Sequence, residues 1–467
     1  MSRHAVWTLA IVSVALFMTA LDNLVVGVAL PSIREDFGGS LEALQWTVNG
    51  YTLAFAVFLL TGAALGDRFG RKRMFTIGLA VFTGASALAA LSPSMEALIA
   101  TRALQGFGAA IVLPLTLTLL SEAVPVARRG MALGIWAGVS GLGVAMGPLV
   151  GGAVVEGISW QWIFWLNVPV GLVLLPLARR HLAESHGPNA RLDLPGLALG
   201  GLGLLGLVFG IVRAETLGWT SATVVGSIGA GVALLVAFGW WERRAAEPML
   251  PLRFFRSRGF AATNGVSFAM FFGTFGSIFL LSQFFQAAQG LGPLEAGLRT
   301  LPWTGVPMIV APIAGILSDR IGSRPLMAAG LALQAGAIAW LAAISDLTTS
   351  FGELLVPFAM AGTGMALVFA PSAAAVLASV RPEEAGQASG ATNTIREVGG
   401  VLGVAVLASV FTANGSYASP QAFVDGVTAA LPIGAVVLAS GAVIALLVPA
   451  RPRATATAEP TPAPAPA

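Results

Sequence analysis

The pattern of hydrophobic and polar positions divides the chain into long apolar runs separated by short segments that hold nearly every charge. A bilayer core takes about 20 apolar residues per helical span, and runs of that length recur along the chain. We therefore predict about fourteen membrane-spanning helices. They lie near residues 5–30, 43–65, 74–92, 96–120, 131–154, 160–178, 194–213, 221–240, 260–284, 297–317, 325–343, 353–379, 386–411 and 430–449.

The two ends of the chain differ in character. The first apolar run is too long for the core of a signal peptide and has no small-residue cleavage pattern, so we interpret it as a retained span. The segment 451–467 is rich in Ala and Pro and poor in bulky apolar residues, so we expect it to be disordered and dispensable.

The composition indicates a polytopic membrane protein, because charged residues are only 10% of the chain and apolar residues are 56%. Of the 25 basic residues, most lie at the N-terminus, in every second loop or in the tail. The exceptions are Arg34, Arg102, Arg213 and Arg299. Cytoplasmic loops accumulate basic residues, so this distribution predicts that both termini are cytoplasmic in a multi-pass protein of the inner (cytoplasmic) membrane.

Several classes of chemistry have no candidate residues. The chain has no cysteine and its three histidines, His4, His181 and His186, lie in loops or at the terminus, so we expect no metal site. The only lysine, Lys72, lies between two arginines, which excludes the GK[ST] of an ATP-binding loop. The chain offers no cluster of catalytic side chains and no loop long enough for a sensor domain. We expect that the protein is not an enzyme and that it has no nucleic-acid partner. We also expect it to be a monomer.

A repeat relates the two parts of the chain. Four residues after the second span, Leu65, Asp67, Arg68 and Gly70, recur with the same spacing after the tenth, as Leu317, Asp319, Arg320 and Gly322. The glycines around the fifth span recur around the thirteenth. These matches predict six-helix halves at 1–180 and 260–450, and an inserted helix pair within 181–259. Parallel six-helix repeats are a transporter architecture in which the halves rock about a midplane site.

Five motifs resemble those of one family: GDRFGRKR after the second span, RALQGFGAA in the fourth, GVSGLGVAMGPLVGG in the fifth, SWQWIFWLNVPVG entering the sixth and LDNLVVGVALP in the first. The chain resembles the major facilitator superfamily, and specifically its fourteen-helix drug:proton antiporter branch. It departs from the usual motifs at Ala63, Gln161, Asn23 and Gly27.

This resemblance implies an all-α membrane protein of two six-helix halves plus two extra helices. It implies a secondary transporter that exports small lipophilic, amphipathic or cationic compounds in exchange for protons, driven by the proton motive force and conferring antibiotic resistance. Protons would be the coupling ion, with no other cofactor. Uptake of a small metabolite by proton symport is the alternative, which the antiporter-like fifth-span motif disfavours.

Asp22 interrupts the first apolar run, where an ionised carboxylate costs a few kcal/mol and usually has a function. Counted at about 1.5 Å per residue, Asp22 and Arg102 of the fourth span lie at similar depth. The resemblance places both spans along the central cavity. We predict that Asp22 carries the coupling proton and that Arg102 tunes it; a static pair that locks the two spans is the alternative.

Two motifs are candidates for control of the conformational change. The fifth span has a row of small residues that permits close helix approach, and the resemblance suggests gating rather than packing alone; the row comprises Gly143, Gly147, Pro148, Gly151 and Gly152. The loop repeat suggests that its residues form a conformational latch between the halves. The alternative is that they only fix the orientation of the helices in the membrane. The residues of the repeat are Asp67, Arg68, Gly70 and Arg71, with Asp319, Arg320 and Gly322 in the second copy.

Candidate residues of the substrate cavity lie on three spans. One face of the thirteenth span carries Asn393, Arg396 and Glu397. They are candidates for contact with the substrate or for binding of a second proton. The alternative is that they lock two helices together. Phenylalanines of the ninth span form a stripe that faces either a drug or lipid, and Trp46 and Asn49 are further candidates. The stripe residues that we predict to line the cavity are Phe268, Phe272 and Phe275. Whether Asp22 or the Arg396/Glu397 pair is the main coupling site stays open.

Overall fold

The computed structural model describes residues 2–450 except 39–40, 126–127, 188–192, 246–247, 249 and 382–383, and of some residues inside helices it describes the backbone only. The described residues are almost entirely α-helical, and none of them is in a β-strand. The predicted disordered segment 451–467 lies outside the described residues.

The first half contains seven helices, of which α6 and α7 together make one span. The helices are α1 (Arg3–Phe37), α2 (Leu41–Phe69), α3 (Arg71–Ala90), α4 (Met95–Ala123), α5 (Arg129–Gly157), α6 (Trp162–Trp165) and α7 (Asn167–His181).

An inserted hairpin precedes the second half. The hairpin is α8 (Leu194–Leu217) and α9 (Ala222–Glu242), and a short 3₁₀ segment follows at Leu252–Arg256. The second half comprises α10 (Arg258–Gln283, with a π-helical turn at Phe284–Ala288), α11 (Pro293–Ile321), α12 (Ser323–Ile344), α13 (Phe351–Ala378), α14 (Ala385–Asn414) and α15 (Pro420–Ala445).

The prediction of about fourteen spans is confirmed. Thirteen helices of the described chain are long and apolar enough to cross a bilayer unbroken, and α2 is the fourteenth once its 49° bend after Leu59 is allowed for. The largest error lies at α15, which begins at Pro420 rather than near residue 430. Within this helix Asp425 lies exposed on the surface, and Pro432 is accommodated inside the helix.

The two halves are built from equivalent helix pairs. α1 packs on α5 and α2 on α4, as α10 packs on α14 and α11 on α13. Two buried clusters draw their residues from the first half alone, and the largest cluster comes from the second half alone. The halves therefore have separate interiors.

The halves meet differently on their two sides. On one side α5 contacts α11 directly. On the other side α8 of the hairpin packs on both α2 and α14, through a small buried cluster. The cluster comprises Leu53 and Val57 of α2, Leu204 and Val208 of α8, and Val401 of α14. The hairpin thus fills the side on which α2 and α14 contact each other less.

Candidate functional site

The carboxylate of the first span lies inside the first half rather than on the cavity. The Asp22 side chain has no exposed area, and Arg102 of α4 donates from Nη1 to its Oδ2 at 2.6 Å. Gln105 Nε2 and Asn167 Nδ2 donate to Oδ1 at 2.8 and 2.7 Å. The prediction that Asp22 and Arg102 lie at one depth is confirmed, and the carboxylate accepts three hydrogen bonds.

A serine extends this network to a fourth helix. Ser86 of α3, which is fully buried, accepts hydrogen bonds from Gln105 Nε2 at 3.2 Å and Asn167 Nδ2 at 3.0 Å. Its own hydroxyl donates to the Phe164 carbonyl oxygen at 2.9 Å. Helices α1, α3, α4 and α7 are therefore joined by one buried network, and such a network fixes their relative positions when its members have partners.

Aromatic rings surround the guanidinium group of Arg102. Its central carbon lies 4.3 Å from the centroid of the Tyr51 ring and 5.7 Å from that of Phe164. Its Nε donates to the Thr47 carbonyl oxygen at 3.2 Å. Tyr51 also lines the central cavity, whereas Asp22 and Arg102 do not. The ion pair thus lies behind Tyr51, separated from the cavity in this conformation.

Sequence reasoning did not identify Gln105, Asn167 or Ser86 as members of the site. Neutral polar residues recur throughout these helices and carry no signal alone. A signal was available for Gln105, because it lies three positions after Arg102 and such residues share a helix face. Asn167 lies within the motif SWQWIFWLNVPVG, whereas Ser86 offered no comparable signal.

A cavity of about 140 Å³ lies between the two halves. Helices α1, α2, α4 and α5 line it from the first half, and α10, α11, α13 and α14 from the second. Most of its lining is apolar, with aromatic rings from both halves; they belong to Tyr51, Phe55, Trp136, Phe271, Phe275, Trp303 and Phe369. Its position and lining suit a compact lipophilic molecule.

The arginine of α14 enters the cavity wall but is held by its own half. Arg396 is 5% exposed, and its Nη2 donates to Ser372 Oγ at 2.9 Å. Its Nη1 donates to Asn393 Oδ1 at 3.5 Å. The guanidinium carbon lies 4.9 Å from the ring centroid of Phe369 and 5.7 Å from that of Phe271. The cation is therefore engaged from several sides.

The neighbouring carboxylate is arranged differently. Glu397 is half-buried and lines the cavity, and it has no hydrogen bond or ion pair to any residue that the structure describes. Trp303 also lines the cavity, and its Nε1 has no acceptor among the described side chains and backbone. The cavity thus presents the carboxylate of Glu397 to a bound molecule.

Half of the predicted cavity residues line the cavity, namely Phe275, Asn393, Arg396 and Glu397. The others, Trp46, Asn49, Phe268 and Phe272, do not. Trp46 instead packs against α8, with its ring centroid 6.0 Å from that of Phe209. Successive helical residues point about 100° apart, so the phenylalanine stripe of α10 is too wide to face one neighbour, and Phe268 lies in a separate groove.

The loop between α2 and α3 is held by charged side chains. Arg71 donates from Nε and Nη2 to Asp67 Oδ1 at 2.9 and 2.7 Å, and it also pairs with Glu122 of α4. Gly70 has a φ of 101°, and a Cβ there would lie 2.7 Å from the Glu184 carboxylate. Every one of these contacts joins elements of the first half.

The remaining residues of the loop repeat have fewer contacts. Arg68 is exposed, 5.1 Å from the centroid of the Phe69 ring. In the second copy Arg320 is exposed, and Gly322 has a φ of 85° with the Ala450 carbonyl oxygen 2.4 Å from where its Cβ would lie. The Asp319 side chain lies outside the described residues. Both copies therefore turn through a left-handed glycine, as the repeat suggested.

The glycine row of α5 packs against α1. A Cβ at Gly143 would lie 2.9 Å from Ala20 Cβ, and one at Gly147 would lie 2.8 Å from Leu24 Cβ. At Gly151 the nearest atom, 2.8 Å away, belongs to Val25. Pro148 has its carbonyl oxygen 2.8 Å from the position of a Cβ on Gly297 of α11. Gly152 is buried in the same helix. The row thus brings α5 close to α1, while Pro148 faces the other half.

The described residues offer no site for a metal. No group of three or more His, Cys, Asp or Glu side chains within the described ranges is arranged to hold an ion.

Comparison with known proteins gives a family match over most of the chain. A family model described as "Major Facilitator Superfamily" matches residues 12–404. The tetracenomycin C resistance and export protein of Streptomyces glaucescens is 36% identical over 402 residues, which cover 86% of this chain and 74% of that protein. The cephamycin export protein CmcT of Amycolatopsis lactamdurans is 37% identical over 460 residues, 97% of this chain and 94% of that protein.

Two further matches agree with these. The puromycin resistance protein pur8 of Streptomyces alboniger is 36% identical over 436 residues, 90% of this chain and 86% of that protein. Among solved structures, the human organic anion transporter MFSD10 (TETRAN) superposes with a TM-score of 0.66, covering 95% of this chain and 100% of that chain. At 15% identity this likeness establishes the fold alone.

Proposed function

Since this chain belongs to the major facilitator superfamily and is a transporter rather than an enzyme, we propose that it exports small lipophilic or amphipathic compounds across the cytoplasmic membrane in exchange for protons. The observation that carries the proposal is the cavity between the halves, which is aromatic and contains the free carboxylate of Glu397. The resistance and export functions named for the relatives support the outward direction.

Substrate binding in this proposal depends on the aromatic wall and on Glu397. The rings of Phe271 and Phe275 stack with centroids 5.2 Å apart, and Trp303 lies on the α11 side. Flat or lipophilic groups bury apolar area against such rings. A cationic group on the substrate would form an ion pair with Glu397, in competition with the charge of the neighbouring Arg396.

Asp22 and Arg102 are the proposed proton-coupling pair. All three hydrogen bonds to the carboxylate come from the first half, so in this conformation a proton has no open path from the cavity. Displacement of Tyr51, which lies between Arg102 and the cavity, would open one. We propose that Asp22 binds a proton when the outer side opens and releases it inside, where Arg102 re-forms the ion pair.

Two motifs support the conformational change in this proposal. The glycine row lets α1 and α5 pack closely, because any side chain in the row would push the two helices apart. In this proposal the two helices therefore move as one body. The loop network of Asp67, Arg71 and Glu122 fixes the ends of α2, α3 and α4 together. As a latch between halves, this loop would exchange one of these partners for a group of the second half in another conformation.

An efflux assay tests the proposal. Wild type, Asp22→Asn and Glu397→Gln are expressed at equal membrane levels in bacteria that lack their own efflux pumps, and export of lipophilic cationic dyes and antibiotics is compared. Asp425→Asn is the matched control, because Asp425 is an exposed carboxylate of α15 that does not line the cavity.

We expect export by wild type and by the control that stops when the proton gradient is collapsed, loss of coupled export in Asp22→Asn, and a selective loss of cationic substrates in Glu397→Gln. Full export by Asp22→Asn would overturn its coupling role and move that role to Glu397. Accumulation rather than export by wild type would replace the export proposal by uptake.

A further inference from the structure

A second concave site lies on the outer surface of the second half, away from the central cavity. A groove of about 360 Å³ runs between α10, α14 and α15 near the end of the bundle that carries the basic loops. Its lining is almost entirely apolar, and Gly265 and Gly441 form part of it. Phe255 and Ser440 at its edges are exposed, so the groove opens to the surroundings of the protein.

The groove has the length of an acyl-chain segment within one leaflet. Its α10 residues extend from Ala261 to Ala269, which corresponds to about 12 Å of helix. A bilayer core is about 30 Å thick, so a groove of this length that starts near a helix end stays within one leaflet. Apolar side chains of α15 complete the wall.

Two exposed arginines lie at the end of the groove. Arg258 is the first residue of α10, and Ala261 and Gly265 follow it at spacings of three and seven, so all three share one face of that helix. Arg256 is next to Phe255, which lines the groove. Neither arginine has a hydrogen bond, ion pair or ring contact to any residue in the described part of the chain, whereas Arg253 nearby is paired with Glu384.

A buried polar atom adds an independent observation. Asn264 lines the groove and is 2% exposed, and its Nδ2 donates to the Phe260 carbonyl oxygen at 2.9 Å. Its Oδ1 has no donor among the described residues. An unsatisfied amide oxygen at membrane depth is costly, so the wall of the groove holds one acceptor that none of the described residues satisfies.

We propose that this groove binds an anionic phospholipid, for which phosphatidylglycerol serves as the probe. One acyl chain lies along Gly265 and Phe268, and the phosphate lies against Arg256 and Arg258. The N-terminal end of α10 contributes the positive end of its helix dipole to the same place. Since Ile395 lines the groove and Arg396 lines the cavity, the lipid would brace the helix that carries the Arg396/Glu397 pair.

Lipid binding to the purified, delipidated full chain tests this. Phosphatidylglycerol, phosphatidylcholine and soluble glycerol phosphate are titrated, and bound lipid is counted by native mass spectrometry. The variants are Arg256→Gln with Arg258→Gln, and Gly265→Leu, whose side chain would fill the groove beside Ile444. The matched controls are Arg179→Gln with Arg180→Gln, another exposed arginine pair, and Gly336→Leu, an exposed glycine with open space around it.

We expect one phosphatidylglycerol per wild-type chain, bound in preference to phosphatidylcholine. The double arginine variant should bind it roughly 25-fold more weakly, because each surface arginine contributes about a kilocalorie per mole to anionic lipid binding. Gly265→Leu should lose the bound lipid, and both controls should keep it. Each variant is tested only if it is monodisperse with the wild-type melting temperature.

Three results would overturn the proposal. Equal retention of both phospholipids by wild type would remove the role of the headgroup charge. Wild-type affinity in the double arginine variant or in Gly265→Leu would place the lipid elsewhere. Full competition by glycerol phosphate would show an anion site at Arg256 and Arg258 that does not use the groove.

Discussion

At the residue scale, the pairing of Asp22 with Arg102 is costly to disrupt from one side. Both charges lie out of water, and each is compensated mainly by the other and by hydrogen bonds from the first half. Removal of one partner from a buried ion pair leaves an uncompensated charge, whereas removal of both is tolerated better.

A double substitution tests this coupling. Arg102→Met should lower the free energy of unfolding by about 3–5 kcal/mol, because Asp22 keeps its charge and loses its cation. Adding Asp22→Asn to Arg102→Met should recover much of that loss. Thermal unfolding of the purified variants in detergent measures both. A double variant whose loss equals the sum of the two single losses would mean that the pair is not coupled.

The sequence made part of this site predictable, and the reason is charge. Asp22 and Arg102 stand out because ionised residues are rare inside apolar spans. Gln105, Asn167 and Ser86 do not stand out, since neutral polar side chains are tolerated in many membrane positions. That Asp22 lies behind Tyr51 rather than on the cavity depends on the rotation of α1, which its nearly uniform apolar sequence does not specify.

At the element scale, the glycine row of α5 determines how closely α1 can approach. Gly147→Val would place a side chain within 2.8 Å of Leu24 Cβ, and overpacking of this kind costs about 1–3 kcal/mol. We expect a lower melting temperature and loss of export. Gly138→Val is the control, because nothing lies within 4 Å of a Cβ at Gly138 in the same helix. Equal effects of the two substitutions would remove the packing explanation.

A second element-scale contact joins the segment before α10 to the start of α14. Glu384 accepts a hydrogen bond from Arg381 at 2.6 Å and pairs with Arg253. The side-chain hydrogen bond from Arg381, followed by the backbone hydrogen bond from the same residue and the charges of Arg253 and Arg381, holds the pKa of Glu384 below its ordinary value of 4.5. The contact therefore stabilises the fold above that pH and is lost as the pH falls through the lowered pKa.

Comparison of wild type with Glu384→Gln tests this pH dependence. Wild type should melt at a slightly higher temperature at pH 7, and the difference should shrink as the pH falls below 4.5. The effect should be small, because Arg253 and Arg381 are largely exposed and solvent screens their charges. A difference that is unchanged down to the lowest pH at which both proteins fold would contradict this account.

Element boundaries were predictable where composition changes sharply and less so elsewhere. The charged loops around Arg71 and Arg258 mark the starts of α3 and α10. The start of α15 was placed near residue 430 rather than at Pro420, because the first turns of the helix are more polar than the apolar run that follows. The break between α6 and α7 at Leu166 has a signal in Pro169, which lies in the first turn of α7 and has no N–H to donate to the Trp165 carbonyl oxygen.

At the scale of the whole molecule, the hairpin of α8 and α9 makes the two sides of the transporter unequal. Helix α8 packs on both α2 and α14, which contact each other less than α5 and α11 do. The repeat predicted two equivalent halves and an inserted pair, but not where that pair would pack, because the packing surface of α8 is apolar on most of its circumference.

Crosslinking tests whether the halves part where α5 meets α11. The chain has no cysteine, so Leu149→Cys with Gly297→Cys introduces one reactive pair across this contact, where a Cβ on Gly297 would lie 3.3 Å from the Leu149 nitrogen. A short reducible crosslink should stop export, and reduction should restore it. The reason is that rocking of the halves requires the contact between α5 and α11 to open.

The matched control for this prediction is a crosslink within the first half. Gly50→Cys with Ile99→Cys joins α2 to α4, where a Cβ on Gly50 would lie 3.3 Å from the Ile99 carbonyl oxygen. This pair should crosslink without affecting export. Undiminished export by the crosslinked Leu149/Gly297 variant would mean that the halves do not separate at this end.

The contact between Pro148 and Gly297 also bears on how the protein is made. Every other close contact of the α5 glycine row is with α1, which is synthesised earlier, so that packing can form while the second half is still on the ribosome. The surface of α5 that faces α11 must wait for the hairpin and α10 to be inserted. During biogenesis the first half therefore exists for a time as a separate six-span intermediate, with lipid covering the surface that later closes the transporter.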